Sequence, residues 1–237
     1  MRLVTAAMGA LLAVVLVTSY LLAGPMPPAG TPPVALAAFL RAHSDTQEWS
    51  WFLACGPALL LGPWFAGGLA VTLWHGNPRA HPLTAAGFAS ALLAGALLAE
   101  AGIFWGLFVY LGTQITSPSL ILVLAEARHF SEGAVCFPAA GAALAYSFAS
   151  RGVLPAWRPL LAIGVLASGL QLANGIDDFA ADGVTGALGP ASFAALMLWI
   201  LGVSASLAWS GSAASEPLSA AAAVPGVAEV ASAAGSL

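Results

Sequence analysis

Apolar residues run along this chain in long unbroken stretches, separated by short polar or Pro/Gly-rich connections. A helix needs roughly 20 apolar residues to cross a hydrocarbon core about 30 Å thick. Six stretches meet or approach that length: Leu3–Ala23, Trp51–Trp74, Leu83–Leu111, Gly133–Ser150, Pro159–Asn174 and Pro190–Trp209. The fifth is short and the third is long. A membrane β-barrel would show alternating segments of about 10 residues, and the chain has none. The pattern predicts an all-α, polytopic helical membrane protein, with about six transmembrane helices in one bundle over residues 1–209. Arg2 precedes the first stretch as it would a signal peptide. The run is longer than a signal's apolar region of about 7–15 residues, and Leu21 spoils a small-x-small cleavage site ending at Ala23. A retained anchor is expected.

The connections carry their own signals. Within Gly24–Ser50, Pro33 suits a first helical position, and Val34 to His43 reads as a short amphipathic helix with Arg41 and Asp45 outward. Ser117-Pro118 is an N-cap followed by proline at the first helical position. That start predicts a helix running through Leu120–Ala127 into the fourth span. Ile176–Leu188 is acidic and aperiodic and reads as a loop. Residues 210–237, built from Ala, Ser, Gly, Val and Pro without an aromatic residue, read as a disordered cytoplasmic tail. The second span contains Gly56-Pro57 and Gly62-Pro63, and each proline removes a donor and is expected to kink the helix. In the third span Gly87, Ala91, Gly95 and Ala99 form a stripe of small residues, suited to close helix packing.

Composition agrees with this reading. Residues are 60% hydrophobic and 7% charged, against about 25% charged in a soluble domain. All six basic residues are arginine, set against ten acidic residues for a net charge of −4. No basic patch forms, which excludes nucleic acid as a partner. The partners expected instead are the lipid bilayer and a larger membrane complex or a homo-oligomer. With six spans the termini share a side, together with the loops His75–Pro82 and Arg151–Arg158. That side holds Arg2, Arg79, Arg151 and Arg158, and the other only Arg41 and Arg128, so the positive-inside rule makes both termini cytoplasmic. The lysine-free, Ala/Gly-rich composition suggests a bacterial cytoplasmic membrane.

Few polar residues are candidates for chemistry. Glu100 lies inside the third span, where a carboxylate costs about 2.5–3.5 kcal/mol on insertion scales. It is expected to be buried, with Gln171 and Asn174 of the fifth span as neighbours. Glu126 and His129 share a helix face, and with His43 they are candidate ligands of one outward-facing metal site, Asp177, Asp178 and Asp182 being another set. A di-iron bundle needs two Glu-x-x-His pairs, and only one is present. The four histidines lie in or near loops, which disfavours haem. Cys55 and Cys136 sit at similar depth and are a candidate disulfide in an oxidising compartment. No cofactor is expected.

Four segments carry a family resemblance: PPVALAAFLRAH (32–43), GPWFAGGLAVTLW (62–74), CFPAAGAALAYSFASRGVLPAWRPLLAIGVL (136–166) and LMLWILGVSASL (196–207). Their layout resembles an uncharacterised six-span membrane protein family common in actinobacteria, a domain of unknown function. The resemblance implies the six-helix architecture and assigns no activity or site residue. Three functions follow from the residues. The first is a non-enzymatic membrane component or accessory subunit. The second is a small proton-coupled permease using Glu100. The third is a membrane enzyme with an extracytoplasmic metal site at Glu126 and His129.

Overall fold

The computed structural model describes residues 1–24, 27, 31–112, 117–180 and 188–213. Its helices are α1 (Arg2–Ala23), α2 (Pro33–Cys55), α3 (Pro57–Gly76), α4 (His81–Gly112), α5 (Pro118–Ala149), α6 (Trp157–Ala180) and α7 (Leu188–Ala213). A 3-10 turn, Pro78–Ala80, joins α3 to α4, and no strand occurs among the described residues. The fold is all-α, as the apolar pattern predicts. Five stretches are long and apolar enough to cross a membrane by length and composition: Arg2–Ala23, Pro33–Gly76, Pro78–Tyr110, Trp157–Phe179 and Leu188–Ser210. The expected fourth span is the second half of α5, whose first half carries Glu126, Arg128 and Glu132 and takes the helix out of that set.

Six helices form a closed ring in the order α1, α3, α4, α5, α6, α7 and back to α1, while α2 packs on α1, α3, α4 and α5. The ring has a near end, with Met1, the turns around 78 and 152 and the close of α7. Its far end holds the close of α1 and α4, the start of α5 and the close of α6. The ring's centre is filled by buried side chains of α1, α3, α5, α6 and α7, among them Phe65, Leu69, Tyr146, Leu160, Trp199 and Leu207. Buried hydroxyls and ring N–H groups close on nearby acceptors, as a lipid-facing bundle requires. Tyr146 Oη donates to Ala66 O at 2.9 Å and Trp199 Nε1 to Ser147 Oγ at 2.8 Å. Ser168 Oγ lies 2.9 Å from Ala140 O and 2.7 Å from its own helix's Gly164 O. At Gly9 three helices meet so closely that a Cβ would collide with Ser204 Oγ of α7 and the Phe65 ring of α3.

The boundaries show which local signals won. Ser117-Pro118 does open α5, which runs without interruption into the expected fourth span. Pro33 does open α2, but the helix continues past His43, where the backbone is only locally non-helical (φ −124°, ψ 18°), as far as Cys55. The chain then breaks at Gly56 (φ −105°, ψ −89°), and Pro57 begins α3. The second interruption expected at Gly62-Pro63 is absent: α3 runs through Pro63, which lines an open lateral groove between α1 and α3. Of the loop expected over Ile176–Leu188, the part up to Ala180 is helix α6, which carries Asp177 and Asp178, Leu188 opens α7, and 181–187 lie outside the described residues. Helix α7 extends past Trp209 to Ala213, and the rest of the expected tail, 214–237, lies outside the described residues. The small-residue stripe is only half used. Gly87 lies under the Tyr146 ring, whereas a Cβ on Gly95 would meet nothing within 4 Å.

Candidate functional site at the far end of the bundle

A chain of polar contacts crosses the far end from α1 to α6. It begins at Gln47, which is 0% exposed. Its Nε2 donates to Ala23 O, at the close of α1, at 2.7 Å, and its Oε1 accepts from Trp105 Nε1 of α4 at 3.3 Å. The Arg128 guanidinium of α5 stacks on the Trp105 ring, 4.7 Å from the centroid. Arg128 Nη2 also pairs with Glu132 Oε1 one turn on, at 2.7 Å, while its Nε is buried without a hydrogen-bond partner. Asn174 Nδ2 of α6 lies 3.0 Å from Asp178 Oδ2 and 3.4 Å from Cys136 Sγ. Asp178 Oδ1 faces His129 Nε2 at 3.6 Å. Gly133 lets α6 come this close, since a Cβ there would sit 2.7 Å from Asp178 Cβ.

Apolar layers lie on both sides of this network. Toward the near end is the main core. Toward the far end Leu36 and Leu40 of α2, Phe108 of α4 and Ile121 and Leu124 of α5 form a second, smaller core that caps it. Two further contacts tie α2 in. Ser19 and Ser50 exchange hydroxyl-to-carbonyl bonds at 2.8 and 2.7 Å. Trp51 Nε1 donates to Gly102 O at 2.7 Å, its ring lying against Gly106. Arg128 is 12% exposed, so its cation is held by one carboxylate and one aromatic face with little help from water. Desolvated pairs of this kind are costly to break and add little over an apolar pair of the same shape. The arrangement suits a clasp that fixes how five helices meet. The Cys136 thiol contacts an amide donor and the Glu132 carbonyl, not a base, so the cluster lacks a nucleophile–base pair of the kind covalent catalysis uses.

The sequence candidates are distributed otherwise than expected. Glu100 is exposed on the side of α4, and among the described residues it has no ion pair or hydrogen bond. It does not join Gln171 and Asn174. Helix geometry is the reason: the faces of α4 carrying Ala101, Trp105 and Phe108 are the buried ones. Gln171 is buried and donates to Ser192 O at 3.3 Å, joining α6 to α7. Asn174 belongs to the far-end network. Glu126 is exposed, His129 faces Asp178, and His43 bonds the Phe39 carbonyl at 2.9 Å and stacks on its ring. Among the described residues no group of three or more His, Cys, Asp or Glu is placed to hold a metal. Asp182 lies outside the described residues. The two cysteines are free thiols. Cys55 packs on Gly102 of α4, while Cys136 contacts Asn174 of α6.

Sequence reading missed Gln47, Trp105 and Arg128 as a unit. One signal was available, the i, i+4 spacing of Arg128 and Glu132. Nothing local ties either to Gln47 or Trp105, which come from other helices. The near end is simpler: Arg79, Arg151 and Arg158 are exposed there, Arg151 over Phe148 and Arg158 over Trp157, and Asn77 Nδ2 donates to Arg151 O at 3.4 Å. Trp74 stacks on His81 with centroids 3.9 Å apart. No family model matches the chain, and no curated protein or solved structure matches it either.

Proposed function

We propose that this chain is a multi-pass protein of a bacterial cytoplasmic membrane, with both termini cytoplasmic, serving as a non-enzymatic component or accessory subunit of a larger membrane assembly. One observation carries the reading. The buried hydroxyl, amide and ring N–H groups of Tyr146, Ser168, Gln171 and Trp199 close on backbone carbonyls or on one another, whereas Glu100, the charge embedded deepest in apolar sequence, faces out of the bundle. A permease needs its titrating acid in the interior, beside a path. An accessory subunit needs its unusual group on the surface, where a partner meets it. The four arginines of the near end, flanked by Trp74, Trp157 and Trp209, support the cytoplasmic placement of that end.

The test is purification of the tagged full chain from native membranes in a mild detergent, followed by reconstitution of what is recovered. The reading expects a defined complex larger than the chain alone, and no proton flux from the chain in liposomes. A chain recovered alone, whose liposomes carry a flux that Glu100→Gln abolishes, overturns it. A reporter fused after Ala213 tests the orientation and should be active only in the cytoplasm.

A further inference from the structure

Along α4 Leu93, Ala96, Glu100, Ile103, Leu107 and Tyr110 are exposed and spaced alternately three and four residues apart. That is the 3.5-residue repeat by which one helix presents a continuous seam to another. From Ala101 onward the opposite face of α4 points inward, with Ala101, Trp105, Phe108 and Val109 buried. Beside Glu100 the seam is shallow. Gly95 is open to space and Ala96 and Ala99 are small, so a neighbouring backbone has room to come close there.

The charge says what covers the seam. Five residues, about 7 Å of helix rise, separate Glu100 from Trp105, at the level of the charged far-end network and of the exposed Trp49. Glu100 therefore sits inside the apolar band, where a lone carboxylate is costly and is either paired or neutralised. A second copy of this chain brings no cation to that depth. Arg2, Arg79, Arg151 and Arg158 are at the near end, and Arg128 is held by Glu132. Arg41 lies on the part of α2 beyond the network. Resting on the accessory-subunit reading, we infer that α4 docks a transmembrane helix of a different polypeptide, which places a Lys, Arg or His side chain against Glu100.

The experiment installs a photo-crosslinking residue at position 96 or 103, and at position 198 on the exposed face of α7 as a control, in the full chain in native membranes. The expected result is one adduct of the same mass at 96 and 103 and none at 198. Its partner's sequence carries a basic residue within a spanning segment. Glu100→Gln and Gly95→Leu should each lower the adduct yield at least tenfold without lowering the isolated chain's unfolding midpoint. Glu100→Lys combined with an acidic replacement of the partner's cation should restore it. An adduct of twice the chain's own mass overturns the inference in favour of a second copy. An adduct insensitive to Glu100→Gln, or a partner without a spanning cation, overturns the charge pairing and leaves the accessory-subunit reading standing. No adduct at any position, with the chain recovered alone, sinks both.

Discussion

Gln47→Leu is the most direct perturbation of the far-end clasp, because it keeps side-chain volume while deleting both hydrogen bonds of a fully buried amide. Two bonds at the average measured inside membrane proteins, about 0.6 kcal/mol each, set the small end of the expected loss at about 1.2 kcal/mol. Leucine's greater apolarity returns roughly 1 kcal/mol, and that alone would leave the variant nearly neutral. The Trp105 N–H decides the sign. It is left buried without an acceptor, at a cost of about 1–3 kcal/mol, while the Ala23 carbonyl at a half-buried helix end recovers water. The net expectation is a loss of about 2 kcal/mol. Trp105→Phe removes the stranded donor, so the double variant should recover about 1 kcal/mol of the summed single losses. The assay is equilibrium unfolding of the purified chain in bicelles, with all four species of the cycle measured together. A Gln47→Leu protein within about 0.5 kcal/mol of the parent, or strictly additive losses, would refute the reasoning.

Other expectations follow from single contacts. Gly95→Ala should raise stability by up to about 1 kcal/mol through helix propensity, since its Cβ meets open space. Gly87→Ala should lower it by about 1 kcal/mol, because its Cβ falls 2.9 Å from a Tyr146 ring held in place by the Ala66 carbonyl; equal shifts for the pair would count against the packing. Two maleimide labels should attach to the denatured, unreduced chain, and a mass showing none would mean that Cys55 and Cys136 are bonded after all. In the isolated chain Glu100→Gln should move the unfolding free energy by less than about 0.5 kcal/mol, as for other surface substitutions. A larger loss would place that carboxyl in an interior contact.

Helix existence was legible because apolar run length is a one-dimensional property. Helix starts were legible where proline marked them, at Pro33 and Pro118, since a fixed φ and a missing donor act locally. Facing was not. A run such as Leu83–Leu111 is apolar all round, so its sequence has no polar side to show which face looks inward, and Glu100 was assigned to the interior on cost alone. The structure places it where the cost remains, on the outside. The two Gly-Pro pairs show the same limit: Gly56 leaves the helical region and Pro57 opens a new helix, while α3 runs through Gly62-Pro63, and nothing in the two dipeptides tells them apart. The far-end network was invisible for a related reason: its members lie on separate helices, and only packing brings them together.

The charged first half of α5 bears on how the chain enters a bilayer during synthesis. Three charged residues in its first half, Glu126, Arg128 and Glu132, make α5 a weaker independent span than its neighbours. In the folded protein Glu132 neutralises Arg128 and Trp105 of α4 covers its guanidinium. The Glu132 pair lies within α5 itself, but the Trp105 cover exists only once α4 is alongside, so the translocation machinery should release α4 and α5 as a hairpin, not one after the other. Glycosylation mapping of truncated chains would detect this, with α5 inserting when α4 precedes it and failing to insert behind an unrelated span. The aromatic face that covers Arg128 in the finished protein then also governs how α4 and α5 pass from the translocation machinery into lipid.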